Sequence, residues 1–151
     1  MDIAVADFAD PGLVRFLQDH LDDLAPTAPA QSQHALDLDG LRRPGVRVWV
    51  GREGEQIVGT VALAELAAGH DELKSMRTAP ARRGSGVARQ LLDHALADAR
   101  RRGITRVSLE TGSMEFFAAA RAFYRKAGFV ECPPFGAYEE DPNSVFMTLT
   151  Q

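Results

Sequence analysis

The sequence predicts an α/β protein, a mixed sheet with helices on its faces, and three observations carry that expectation. Short runs rich in β-branched and alternating apolar residues occur at Ile3 to Ala6, Val46 to Val50, Ile57 to Leu66, Glu72 to Thr78, Ile104 to Thr111 and Ser144 to Thr150. Apolar stripes at helical spacing follow Pro11, Gly86 and Met114. The two kinds interleave as strand, helix, several strands, helix, strand, helix, strand, an order that layers helices on a sheet and does not suggest an all-helical DNA reader.

Each element has its own local reason. Asp10 offers an N-cap with Pro11 at the first helical position, and Leu13, Phe16, Leu17, Leu21 and Leu24 then stripe one helix face. The Pro/Ala stretch Ala25 to Ala30 reads as a loop, and His34 to Leu41 as a short helix or turn. Val46, Val48 and Val50 alternate with Arg47 and Trp49, and the turn signal at Gly54 pairs that strand with the run from Ile57 to Leu66, which contains Gly59. A third strand, Glu72 to Thr78, is stopped by Pro80. Gly84-Ser85-Gly86 then introduces Val87, Leu91, Leu92, Ala95, Leu96 and Ala99 at helical spacing, closed by Gly103. Phe116, Phe117, Ala120, Phe123, Tyr124 and Ala127 stripe a further helix that Gly128 ends.

The 151 residues suit one domain spanning 1–151, with 45% hydrophobic and 25% charged residues and no linker or repeat. A lone cysteine, Cys132, excludes a disulfide framework and a multi-cysteine zinc site, so a reducing cytoplasm is the default expectation. No metal site is expected: His20, His70 and His94 lack ligand spacing, and His70-Asp71 reads as a turn. No run approaches the roughly 18 apolar residues of a membrane span, and the acidic start lacks the basic region of a signal peptide. A formal net charge of −4 argues against non-specific nucleic-acid binding. Lys74 and Lys126 are the only lysines, while arginines crowd at Arg82-Arg83, Arg89 and Arg100-Arg101-Arg102, which leaves room for a local anion site.

The turn Arg83-Gly84-Ser85-Gly86-Val87-Ala88 joins a strand to a helix N-terminus, where free N–H groups and the helix dipole favour a phosphate. Glycines at 84 and 86 keep side chains out of the way, and Arg82 and Arg83 add charge at that end. A Walker A loop would need Gly-Lys-Ser/Thr where this chain has Gly86-Val87-Ala88, and a dinucleotide fingerprint would need a small residue at Arg89. Read from the glycines alone, a plain tight turn with solvated arginines stands beside the phosphate reading.

Met76-Arg77-Thr78-Ala79-Pro80, the Arg-Arg-Gly-Ser-Gly turn, the apolar helix after it and Phe123-Tyr124-Arg125-Lys126-Ala127-Gly128-Phe129 together resemble the GNAT acetyltransferases. Leu109-Glu110-Thr111-Gly112 and the stretch from Glu140 to Met147 look like a bacterial subgroup of small single-domain members. The resemblance implies a mostly antiparallel mixed sheet of about six to seven strands with a splay, flanked by about four helices. It implies acetyl-CoA as co-substrate, its pyrophosphate on the turn from Arg82 and Arg83 through Gly84, Ser85, Gly86, Val87 and Ala88. The pantetheine arm would lie along Met76, Arg77 and Thr78, pairing with the backbone of Met76 and Thr78. Ala81 stands where the family usually has Gln or Arg, and Phe117 where many members carry an Asn that touches the arm.

Transfer of an acyl group from a thioester to an amine needs a neutral amine, a stabilised oxyanion and a proton for the leaving thiolate. Tyr124 stands where the family's Tyr protonates the thiolate, although its spacing alone also fits a core aromatic. The N–H of Met76 is the implied oxyanion donor. Glu72 aligns with an acidic base of some members, and Glu110 at the end of the next strand is the second candidate; either could equally be a solvated or paired strand-end charge. His34 and Asp37 fall in the region that usually walls the acceptor pocket. The acidic run Glu139-Glu140-Asp141 could draw a cationic amine or be a solvated loop. Cys132 has no evident His partner, so direct transfer is expected rather than a covalent enzyme intermediate. The expected activity is therefore acetyl-CoA-dependent N-acetylation of a primary amine on a small molecule or a polypeptide, the small molecule being favoured. The alternatives are another acyl-CoA, an oxygen acceptor, or a CoA-binding sensor without turnover. Dimerisation is carried as an expectation from the resemblance.

Overall fold

A computed structural model describes all of residues 1–151. Seven strands form one sheet: β1 (Asp2–Val5), β2 (Val46–Glu53), β3 (Gln56–Ala67), β4 (His70–Thr78), β5 (Arg106–Gly112), β6 (Val130–Glu131) and β7 (Ser144–Thr150). Their spatial order is β1-β2-β3-β4-β5-β7-β6, and only the β4–β5 pair is parallel. Four α-helices accompany them: α1 (Pro11–Leu24), α2 (Leu38–Leu41), α3 (Val87–Arg101) and α4 (Ala118–Lys126).

The period-two pattern of the central strands sorts their side chains into two cores. Val48 and Val50 of β2 and Ala62 of β3 pack with Leu13 and Leu17 of α1 and Leu41 of α2. Trp49, Val61 and Leu63 point the other way, onto Val87, Leu91, Leu92, Ala95 and Leu96 of α3 and onto Tyr124 of α4. Gly59 is required for this second layer. A Cβ there would meet Leu91, Val87 and the Arg77 carbonyl at 2.6 to 2.9 Å, so only glycine lets α3 sit this close to β3.

Three expectations are corrected. His70 and Asp71 do not make a turn but open β4, where His70 Nε2 bonds Ser108 Oγ at 2.7 Å and Asp71 accepts from Arg102 at 2.9 Å. The His34–Leu41 stretch is helical only over Leu38–Leu41, because Asp37 caps that helix by accepting from Gly40 N–H. The aromatic stripe does not run as one helix: Glu115–Phe117 is a 3₁₀ turn and α4 starts at Ala118, leaving Phe116 60% exposed. The two-residue strand β6 was not foreseen, being too short to show a period.

Two irregularities of β4 open the sheet. Its pairing with β5 covers only His70, Asp71 and Glu72 opposite Arg106, Val107 and Ser108, so the two strands diverge beyond Glu72. Its register with β3 slips between Lys74 and Arg77, where Ser75 takes a left-handed φ of 52° and its carbonyl accepts from Thr60 Oγ1 at 2.9 Å. That bulge turns Ser75 and Met76 out of the ladder, toward the gap.

Candidate active site

A cleft of about 310 Å³ occupies the gap between β4 and β5. Its floor is Leu73 to Met76 on one side and Leu109 to Gly112 on the other; α4 contributes Ala120 and Tyr124, α1 contributes His20, Leu21 and Leu24, and the α1–α2 loop contributes Ser32 to Ala35. A second hollow, about 480 Å³, is lined by Thr78, Arg82, Gly84, Gly86, Val87, Ala88, Arg89, Phe123 and Lys126. β4 contributes to both, with Met76 in the first and Thr78 in the second.

The second hollow is made largely of backbone. Gly84 and Gly86 have φ of +78° and +88° with no atom within 4 Å of where a Cβ would stand, and Gly86 is the N-cap of α3 with no side-chain cap. Helix-end N–H groups therefore face open space, an arrangement suited to phosphate oxygens. Of the two arginines expected at the turn, Arg82 lines the hollow and Arg83 does not. Arg82 is held by both carboxylate oxygens of Glu53, which neutralises its charge at the turn. Arg83 is exposed and does not line the hollow. Lys126, at the end of α4 and without a carboxylate partner, lines it as well, and so does Arg89, which pairs with Asp93 at 3.1 Å. The sequence places Lys126 next to the Tyr-Arg-Lys-Ala-Gly motif, but only the packing of α4 against the turn shows that it faces the turn. Arg77 turns its side chain away, toward α1, donating to Asp23 at 2.9 Å and lying 5.4 Å over the Phe16 ring. Of Arg77, only the backbone can serve the cleft. Nearby His20 is pushed down to about 4 by burial and by the Arg77 charge, so it is a neutral wall of the cleft.

Tyr124 is 7% exposed and lines the first cleft. Burial alone holds its phenol above the usual tyrosine range, with no neighbouring charge or hydrogen bond contributing. The group is thus a neutral O–H donor in a dry wall. Phe117 packs its ring on Gly112, where any side chain would collide with it, and lines the same cleft.

The two glutamates differ. Glu72 is buried, accepts from Tyr138 Oη and from Lys74 Nζ at 3.1 Å, and does not line the cleft. Glu110 does line it, and burial lifts its carboxyl above the ordinary glutamate range, with Ser144, His34 and Lys74 pulling it partly back. The structure thus reverses the expected ranking: Glu72 is occupied by partners, while Glu110 is the carboxylate facing the gap. His34 also lines the cleft, its ring edge-on to Tyr138 at 4.9 Å. Asp37 does not; it is spent on capping α2. Within the acidic run Glu139 and Glu140 are exposed, while Asp141 accepts from Ser32 Oγ at 2.6 Å and from Asn143 N–H at 2.8 Å, which holds its carboxyl below the usual range. Cys132 lies apart, at the end of β6. No three His, Cys, Asp or Glu side chains converge as a metal site would require.

Tyr138, Lys74, Ser32 and Asn143 escaped the sequence reading. Tyr138 sits 66 residues from Glu72 in a stretch with no periodicity, and Ser32 is 109 residues from Asp141, so no local pattern could pair them.

The comparisons with known proteins agree with this geometry. The model of the acetyltransferase (GNAT) family matches residues 13–129. The uncharacterized N-acetyltransferase YsnE of Bacillus subtilis is 45% identical over 148 residues, covering 98% of each chain. The IAA acetyltransferase of Azospirillum brasilense is 40% identical over 136 residues, 89% of this chain and 86% of that protein. Among solved structures, one from Klebsiella pneumoniae described as an acyl-CoA N-acyltransferase superposes with a TM-score of 0.81 at 29% identity, covering 99% of this chain and 96% of its own.

Proposed function

This chain belongs to the acetyltransferase (GNAT) family and is an acyltransferase; from that premise we propose that it transfers an acetyl group from acetyl-CoA directly to a primary amine of a small molecule. The observation that carries the reading is the continuity of β4: one strand leads from the glycine turn at α3, through a bulge at Ser75 and Met76, to a cleft holding one buried phenol and one free carboxylate.

Acetyl-CoA fits what is present. The open N-cap of α3, with Lys126 and Arg89 beside it, would hold the phosphates. The unpaired stretch of β4 beyond Glu72 would take the arm as an added strand. Bound there, acetyl-CoA supplies an activated acyl group. The residues of the chain then divide three tasks. Glu110 accepts a proton from the incoming ammonium, directly or through water, so that the amine lone pair is free to attack the thioester carbon. The Met76 N–H, turned out of the ladder by the bulge, donates to the carbonyl oxygen as negative charge gathers on it. As the carbon–sulfur bond breaks, Tyr124 gives its phenolic proton to the sulfur, and the phenolate recovers the proton that the attacking nitrogen, cationic after bond formation, gives up. The products are the N-acetyl amide and free CoA thiol. Glu72 takes no part in proton transfer; it is a positioning residue for Lys74 and Tyr138.

The test is thiol release from acetyl-CoA across a panel of primary amines. Amine-dependent release supports the reading. Tight acetyl-CoA binding without release from any amine would replace it by a binding protein without turnover.

A further inference from the structure

Of all the side chains lining the cleft, only two are a full cation or a carboxylate: Lys74 and Glu110. Their situations are opposite. Lys74 Nζ has three N–H groups and spends all three, on Glu72 Oε2 at 3.1 Å, on the His34 carbonyl at 3.1 Å and on Tyr138 Oη at 3.2 Å. Its charge is cancelled by Glu72, which is itself held by the Tyr138 hydroxyl. Lys74 and Glu72 side chains are 10% and 8% exposed, so the pair is screened little by solvent. No arginine lines the cleft. Glu110 forms no ion pair; the Lys74 charge reaches it only from a distance, and its carboxylate is the one left open to the cleft. The wall beyond it, from α1 and its loop, sets Leu21, Leu24, Ala28 and Ala35 among Thr27, Ser32 and Gln33 and holds no carboxylate.

Resting on the N-acetyltransferase reading, we infer that the acceptor is a monoamine with an apolar body and no carboxylate, selected because Glu72 and Tyr138 lock the cleft's one lysine away from substrate. A cationic amine head meets Glu110, and its hydrocarbon part meets the α1 wall. An amino acid of the same shape brings a carboxylate that finds no free cation and stands near Glu110, a repulsive element of the kind that sets specificity. A diamine places its second charge against a wall with no carboxylate, where it loses hydration and gains no ion-pair partner.

Two matched pairs test this in the wild-type protein: 2-phenylethylamine against phenylalanine, and pentylamine against 1,5-diaminopentane, each by kcat/KM for thiol release. The expected result is a preference of about a hundredfold for the monoamine over its carboxylated partner, and about tenfold over the diamine. Equal or better turnover of phenylalanine overturns the inference while leaving N-acetyl transfer standing; no release with any of the four also overturns the inference, and N-acetyl transfer itself falls only if the wider panel of primary amines gives none. A second experiment frees the lysine. In Glu72→Gln combined with Tyr138→Phe, checked for folding by thermal melting, the preference for 2-phenylethylamine over phenylalanine should fall by about tenfold as Lys74 becomes available to a carboxylate. An unchanged ratio in the folded double variant would show that the lysine lock does not set the choice; if that variant does not fold, the wild-type pairs decide alone.

Discussion

The two ends of the cleft are built from different materials. The end at α3 is made of backbone: left-handed glycines, an uncapped helix N-terminus and a strand that has lost its neighbour. The acceptor end is made of side chains brought from β4, β5, the α1–α2 loop and the β6–β7 loop, fixed by contacts such as Tyr138 to Glu72 and Ser32 to Asp141. A backbone site depends on a few consecutive residues and tolerates change elsewhere. A side-chain site depends on long-range packing and can be re-specified by single substitutions. Such a division would let one fold keep a co-substrate site while its acceptor site changes.

That contrast can be broken at the point where both ends meet. Tyr124→Phe removes the proton donor but no packing atom, so kcat should fall by about a thousandfold with acetyl-CoA affinity and melting temperature nearly unchanged. A comparable rate in the variant would return Tyr124 to the role of a core aromatic. At the backbone end, Gly86→Trp fills open space at a φ of +88°. Calorimetry should show acetyl-CoA affinity reduced by about a hundredfold, near 2.7 kcal/mol, in a protein that still folds.

At the side-chain end, Glu110→Gln should lower kcat/KM by about tenfold and abolish the acid limb of its pH profile. In the wild type that limb should lie above the ordinary glutamate range, since burial raises this carboxyl and activity is lost as pH falls through the raised value. Stability carries the opposite sign. A group whose folded pKa is raised contributes stability below its unfolded pKa and loses it as pH rises through the folded one. Glu110→Gln should therefore melt higher than wild type at neutral pH, with the gap closing in acid; a gap that widened in acid would refute the assigned direction. The smallest effect is expected from Asp141→Asn, which weakens the tie between the two acceptor loops. Acceptor KM should rise on the order of threefold with acetyl-CoA affinity unmoved.

The same contrast governs what was legible in the sequence. Elements with strong periodicity or punctuation were readable: the Asp10-Pro11 start of α1, the Gly54 hairpin, the stripe of α3 and the full extent of β7. The glycine turn was readable because its chemistry is local. Arg82 was misread as a free cation because Glu53, 29 residues away, cannot be paired with it from spacing. Asp37 was misread because a helix of four residues gives no stripe to reveal its cap. The ranking of Glu72 over Glu110 failed for a related reason. Adjacent strands offered two similar carboxylates, and only the burial of Lys74 and the reach of Tyr138 across the sheet separate the paired one from the free one.

The most direct measurement is a pair of calorimetric titrations of the wild-type protein, one with acetyl-CoA and one with S-acetylpantetheine, which keeps the thioester arm and lacks the nucleotide phosphates. If the α3 turn holds those phosphates, acetyl-CoA should bind with a micromolar dissociation constant and the truncated thioester at least about a hundredfold more weakly. Equal affinities, or no binding of acetyl-CoA, would contradict the assignment of the turn and with it the reading of the whole cleft.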